Sequence, residues 1–136
     1  MAPEKTNYII FNKGRIMRKI DYTPTLFSKK LTQVPLVTFL GITFDSKLNF
    51  TRHVDNIVKQ CAQRHNILRI LVNRSWHTNE KIMLLIYRSL IRSIIEYSAI
   101  AVSCISSANL LKLERVQRKA IKTIFRLDNL TPSNEL

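Results

Sequence analysis

Two hydrophobic rhythms divide the chain. From Asn7 to Phe44 the apolar residues come in short runs rich in β-formers, separated by turn residues. Asn7 to Phe11 is one such run. Asn12-Lys13-Gly14 is a turn signal, so Ile16 to Tyr22 is expected to return as a second strand. Pro24 and Pro35 suit edges and turns rather than a central strand. Leu36 to Phe44 is the strongest strand candidate, and Gly41 inside it suggests a bulge or a close backbone approach. At about Thr51 the spacing changes to three and four. Val54, Ile57, Val58, Cys61, His65, Leu68, Leu71 and Val72 mark one helical stripe, with Asp55 in its first turn. After a short loop over 73–78, Thr78 or Asn79 caps the next helix and Glu80 faces its dipole. Ile82, Leu85, Ile86, Leu90, Ile94 and Tyr97 give that helix an apolar face. Ser106-Ser107 offers a third N-cap, followed by a stripe of Leu110, Leu113, Gln117, Ala120, Ile121 and Ile124.

The expected architecture is α+β. A small antiparallel β-element over residues 7–45 precedes three amphipathic helices that pack as a bundle. The expected segments are 1–48, 49–128 and a polar tail at 129–136.

Charge and hydropathy narrow the class. The most apolar stretch, Ile82 to Ile105, contains Arg88, Arg92 and Glu96 at intervals of four. Three charges on one face describe an amphipathic helix, not a lipid-spanning one, so no membrane partner is expected. The start, MAPEKTNYIIF, lacks the basic and apolar regions of a secretory signal, and an intracellular place in nucleus or cytoplasm follows as the expectation. Cys61 and Cys104 stand alone, without metal spacing, which suits reduced thiols. The sequons at Asn49 and Asn73 are then chance. The 136 residues carry 22 Lys+Arg against 9 Asp+Glu, a net charge of +13. That excess is spread along the chain, so no single tail explains it.

The clearest polar pattern lies on the third helix. Arg115, Arg118, Lys119, Lys122 and Arg126 follow i, i+3, i+4, i+7, i+11 and form one basic stripe beside the apolar one. Rows of Lys and Arg along a helix match phosphate backbones. A solvated helix face has the same pattern, but the overall basicity favours a nucleic-acid partner. Arg15, Arg18, Lys19, Lys29 and Lys30 point the same way. Cys61 and His65 sit one turn apart on an apolar face with no further ligands at metal spacing, so His65 is expected to be a core-edge histidine with one hydrogen bond. Trp76 suits capping the bundle core better than stacking on a base. Two-metal phosphoryl transfer needs converging carboxylates, and the sequence has no D-x-D or adjacent Asp pair to supply them.

Four segments, in order, resemble one family. Pro3-Glu4-Lys5-Thr6 with the following strand resembles the N-P-x-K-T segment of the reverse transcriptases of jockey-like non-LTR retrotransposons. Phe39-Leu40-Gly41-Ile42-Thr43-Phe44-Asp45-Ser46-Lys47-Leu48 resembles that family's FLG-x-x-x-D-x-x-L, with His53 in the place of its following His. Tyr87 to Tyr97 resembles Y-x-x-L-I-R-x-x-x-E-Y, and Leu113 to Ile121 resembles L-E-R-V-Q-x-x-A-x. The sequence departs from the pattern at Ala2 (usually Asn), Ser98 (commonly Gly) and Val102 (usually Trp).

The resemblance implies the far edge of a polymerase palm followed by a thumb. Phe39, Leu40 and Gly41 would belong to a primer-grip-like hairpin, and the helices would track a template–primer duplex. Lys5 matches the palm lysine that protonates leaving pyrophosphate. The parent polymerases use Mg, but the aspartates that bind it would lie before Met1. The expectation is a fragment that binds template–primer duplexes, needs the missing N-terminal polymerase portion for synthesis, is inactive alone and holds no cofactor or metal. The competing expectations are a degenerate transposon remnant with no selected activity and a basic helical interaction protein.

Overall fold

The computed structural model describes residues 6–12, 23–73, 79–98 and 105–127. Lys5, the expected return strand Ile16 to Tyr22, Trp76, Val102, Cys104 and the tail lie outside the described residues.

The first part is built from three two-stranded pairs. The strands are β1 (Asn7–Tyr8), β2 (Thr25–Leu26), β3 (Lys29–Lys30), β4 (Thr32–Gln33), β5 (Leu36–Phe39) and β6 (Ile42–Asp45). β2 with β3 and β5 with β6 are antiparallel hairpins. β1 pairs with β4 in parallel, with Asn7 opposite Thr32. This departs from the expected all-antiparallel element. A parallel pair needs a long connection, and the residues between Tyr8 and Thr32 supply it.

The expected single strand over Leu36 to Phe44 is a hairpin instead. Phe39 pairs with Ile42, which leaves Leu40 and Gly41 as a two-residue turn. Both have positive φ, 47° and 78°. Two left-handed residues in succession twist the chain in the sense that antiparallel strands require. The close approach expected at Gly41 is present: a Cβ there would lie 3.4 Å from Tyr97 Cε1. That distance is ordinary contact, so the left-handed backbone alone penalises a side chain. Gly41→Ala is expected to cost about 1 kcal/mol, whereas Leu40→Asn, which suits a left-handed turn position, raises stability. Thermal midpoints of the two variants check this, and shifts of the opposite sign overturn it.

Asp45 joins the hairpin to the helices. Its carboxylate accepts from the backbone N–H groups of Lys47 (3.0 Å), Asn49 (3.1 Å) and Phe50 (2.7 Å). This acid is thus committed to holding the turn that launches the first helix. Phe11, Phe44 and Phe50 stack edge-on across the same junction, with centroids 6.3 Å and 5.7 Å apart. Edge-to-face rings bring positive edges against negative faces.

The helices are α1 (Thr51–Asn73), α2 (Glu80–Tyr87), α3 (Ser93–Tyr97) and α4 (Ser107–Ile124). α2 runs into α3 through a π-helical turn at Arg88–Arg92, so the two form one rod. The protein is therefore α+β with a three-helix element. Two expected caps are present: Asn79 accepts from Lys81 N–H, and Ser106 from Asn109 N–H. Asp55 does not serve the first turn of α1; it accepts from Lys112 on α4 at 2.7 Å.

The core lies between α1, the α2–α3 rod and α4. Val54, Ile57, Cys61 and Leu68 meet Met83, Tyr87 and Ile91, and both sets meet Leu113, Ala120 and Ile124. The face expected for the second helix is met only in part: Ile86, Leu90 and Ile94 pack against the core. Ile82, Leu85 and Tyr97 are exposed, while Met83, Tyr87 and Ile91 are buried. Residues 82–87 are all apolar, so periodicity cannot choose a face there. The π turn then shifts the phase again. Ser89 and Ser93 donate back to the carbonyls of Leu85 (2.8 Å) and Ser89 (2.5 Å), a habit that loosens helices. Arg64 of α1 donates to Leu90 O at 2.8 Å, within the widened turn. In α4, Leu110 is 44% exposed, contrary to its expected place in the stripe. Asn109 is buried instead and donates to Thr51 Oγ1 at 3.1 Å.

Candidate nucleic-acid interface

α4 sets the geometry of the basic stripe. At about 100° per residue, Arg115, Arg118, Lys119 and Lys122 fall within about 100° of arc, and Arg126 follows just past the helix end. Leu113, Ala120 and Ile124, on the opposite arc, are buried. Burial of one side of α4 thus turns the cations outward. Arg118 donates to Glu114 at 3.1 Å, an exposed pair that a phosphate can exchange at little cost.

At its C-terminal end the stripe meets α1. Lys119, Lys122, Thr123 and Arg126 line one side of a cavity of about 660 Å³, and His65, Arg69, Val72 and Asn73 line the other. Arg69 was not among the sequence candidates. It precedes the stripe by about a third of the chain and belongs to no local charge pattern. Its only sequence signal is the four-residue spacing from His65.

Arg126 is held from two sides. Its φ is +52°, in the left-handed region. Leu127 N–H donates to Lys122 O (2.9 Å) and Arg126 N–H to Thr123 O (3.3 Å), closing the end of α4 as a Schellman motif. Glycine is the usual residue at that position. Here the arginine side chain donates to Val72 O at 3.2 Å, covering the C-terminal end of α1.

His65 and Thr123 form the floor of the cavity. Their Nε2 and Oγ1 lie 2.8 Å apart. Thr123 already donates its one hydroxyl proton to Lys119 O at 3.0 Å. The hydroxyl oxygen must therefore accept, and neutral His65 carries its proton on Nε2. The expected core-edge histidine with one side-chain hydrogen bond is what the structure contains. Burial pushes its pKa below the usual value, and the cations Lys119 and Arg69 push in the same direction. Burial also lowers the pKa of His53. His53 Nδ1 accepts from Thr43 N–H at 3.3 Å, which ties β6 to α1.

These shifts have a signed consequence. A histidine whose folded pKa lies below its unfolded value near 6.5 binds more protons when unfolded. Stability is then complete above pH 6.5 and falls as the pH drops through the lowered folded values. The midpoint of urea unfolding is expected to fall between pH 7.5 and pH 5. The double substitution His53→Gln and His65→Gln should flatten that dependence. A midpoint equally steep in both proteins would overturn the assignment to these two groups.

The hairpin tip is placed elsewhere. Phe39 and Leu40 are 65% and 72% exposed, and Tyr97 Oη donates to Leu40 O at 2.9 Å. The tip of Phe39, Leu40 and Gly41 is thus bonded to the end of α3, while the stripe borders α1. Arg92 and Glu96 pair beside Tyr97 at 2.6 Å. Among the described residues no group of three or more His, Cys, Asp or Glu side chains converges where a metal could bind. No helix of the described residues is long and apolar enough to cross a membrane. Cys61 is fully buried, and burial raises its thiol pKa. It is packing, not a nucleophile.

No protein-family model matches the chain, and neither a curated protein nor a solved structure matches it.

Proposed function

We propose that this protein binds template–primer duplexes through the phosphate backbone, as the palm-edge and thumb part of a reverse transcriptase of the jockey-like non-LTR kind. The observation that carries the reading is the arc of four cations on α4, opposite its buried side, continued by Arg126 just past the helix end. Regular spacing along a rigid helix suits a periodic row of phosphates better than scattered charges do. The net charge of +13 adds long-range attraction to any nucleic acid. The exposed tip at Phe39 and Leu40 would contact the primer strand as a primer-grip-like loop. Lys5 keeps its proposed place as a palm lysine by resemblance alone.

Synthesis is not assigned to this chain. Four of the five described acids are engaged in structure, Asp45 by three amides, Asp55 by Lys112, Glu96 by Arg92 and Glu114 by Arg118, and the fifth, Glu80, stands alone in the first turn of α2. Polymerisation would need the aspartate-bearing part of a polymerase of this kind, with Mg held there.

Fluorescence anisotropy with a labelled RNA–DNA primer–template tests the reading. Binding is expected to be indifferent to base sequence and to weaken steeply with salt. A salt-independent affinity, or no binding at low salt, overturns it. A stronger association with anionic vesicles than with the duplex would favour a membrane-surface protein.

A further inference from the structure

The cavity where α1 and α4 end is more than the last step of the stripe. Four cationic side chains line it, Arg69 from α1 and Lys119, Lys122 and Arg126 from α4. No described carboxylate lines it. Two helix C-termini also point there, and each contributes roughly half a negative charge. Against these two ends stand four cations among the described residues. Cations serving only to cap two helix ends would be in excess.

The volume, about 660 Å³, is in the range of a small-molecule site. No Phe, Tyr or Trp side chain lines it, so a nucleobase would find no large aromatic platform. The lining carries guanidinium and ammonium donors on two walls, with a neutral His65–Thr123 pair at the base. Arginine forks and lysine point charges on facing walls match the oxygens of a phosphate group better than those of a singly charged carboxylate.

We propose that this cavity is a binding site for a phosphate monoester or pyrophosphate-type anion, held between Arg69 of α1 and Lys119, Lys122 and Arg126 of α4. It deepens the nucleic-acid reading but does not depend on it, because Arg69 lies outside the stripe. The anion can arrive as free pyrophosphate or as the terminal phosphate of a nucleic-acid strand.

The test uses the full chain. Thermal unfolding is followed with sodium pyrophosphate and with sodium chloride at matched ionic strength. At a hundredfold excess over Kd, pyrophosphate is expected to raise Tm by about 5–10 °C, with chloride giving much less. Arg69→Gln and Lys119→Gln, each compared with its own unliganded Tm, should lose most of the rise. Arg52→Gln removes the same charge at the exposed start of α1 and should keep it. Equal effects of the two salts, or equal responses in Arg52→Gln and Arg69→Gln, overturn the proposal. Tighter binding of a 5′-phosphorylated than of a 5′-hydroxyl oligonucleotide, lost in Arg69→Gln, identifies a strand end as the source. Equal binding of the two with the pyrophosphate rise intact identifies the free anion. A chain that responds to pyrophosphate but ignores duplexes refutes the template–primer reading and leaves the pocket standing.

Discussion

Raising monovalent salt from 50 to 200 mM is expected to weaken duplex binding about 500-fold. Each neutralised phosphate releases condensed counterions, and log K falls with log salt at about 0.9 per phosphate. Five contacts, one for each of Arg115, Arg118, Lys119, Lys122 and Arg126, give a slope of about −4 to −5. Single substitutions change such a slope by about one unit. Replacing Arg115, Lys119 and Lys122 together by Gln should therefore bring the slope near −2. All three side chains face away from the buried arc of α4, so the fold survives, and the helical circular dichroism of the variant verifies that. A triple variant with the original slope would show that the duplex contacts lie elsewhere, on the hairpins or on α1.

The second large effect concerns the core. Leu113→Ala is expected to destabilise the protein by about 3 kcal/mol and to lower Tm by roughly 10 °C. Leu113 is 1% exposed and lies in the cluster where α1, the α2–α3 rod and α4 meet. Truncation removes its buried methyl groups and leaves a cavity that rigid neighbours on three helices cannot fill. Against a total stability of about 5–15 kcal/mol, that is a large fraction. Leu110→Ala on the same helix is the control. That side chain stands on the outer side, and its loss should cost less than about 1 kcal/mol. Comparable losses at the two positions, measured by urea unfolding, would contradict the burial of α4 described above.

The pair also marks where sequence pattern stops being enough. A three–four spacing through Leu113, Ala120 and Ile124 is correct, but it extends with equal ease to Leu110. Only the position of Thr51 on α1 makes Asn109 the buried residue, because its amide finds a hydroxyl there. The second helix is harder still. Six consecutive apolar residues from Ile82 to Tyr87 offer every face equally. The choice of Met83, Tyr87 and Ile91 is made by what α1 and α4 present to the rod. The hairpin at Leu40 was implied only by the family resemblance and not by the apolar pattern, because leucine is not a turn former, and its left-handed φ goes with strand pairing and the Tyr97 bond.

What the chain encoded locally was legible. Helix starts at Thr51, Asn79 and Ser106 depend on side chains within a few residues, and so does the order of a β-element before three helices. The basic arc of α4 is also local, since helical periodicity alone aligns it. Everything that joins distant segments was decided by the tertiary structure. The parallel pairing of β1 with β4 and the phase of the α2–α3 rod belong to that class. The strongest case is Arg69, an unremarkable basic residue in sequence. It becomes the fourth wall of a cationic cavity only because packing of Leu68 and Ile124 into one core brings the ends of α1 and α4 side by side. Charge density is a property of space, and periodicity along one helix cannot report what a second helix contributes.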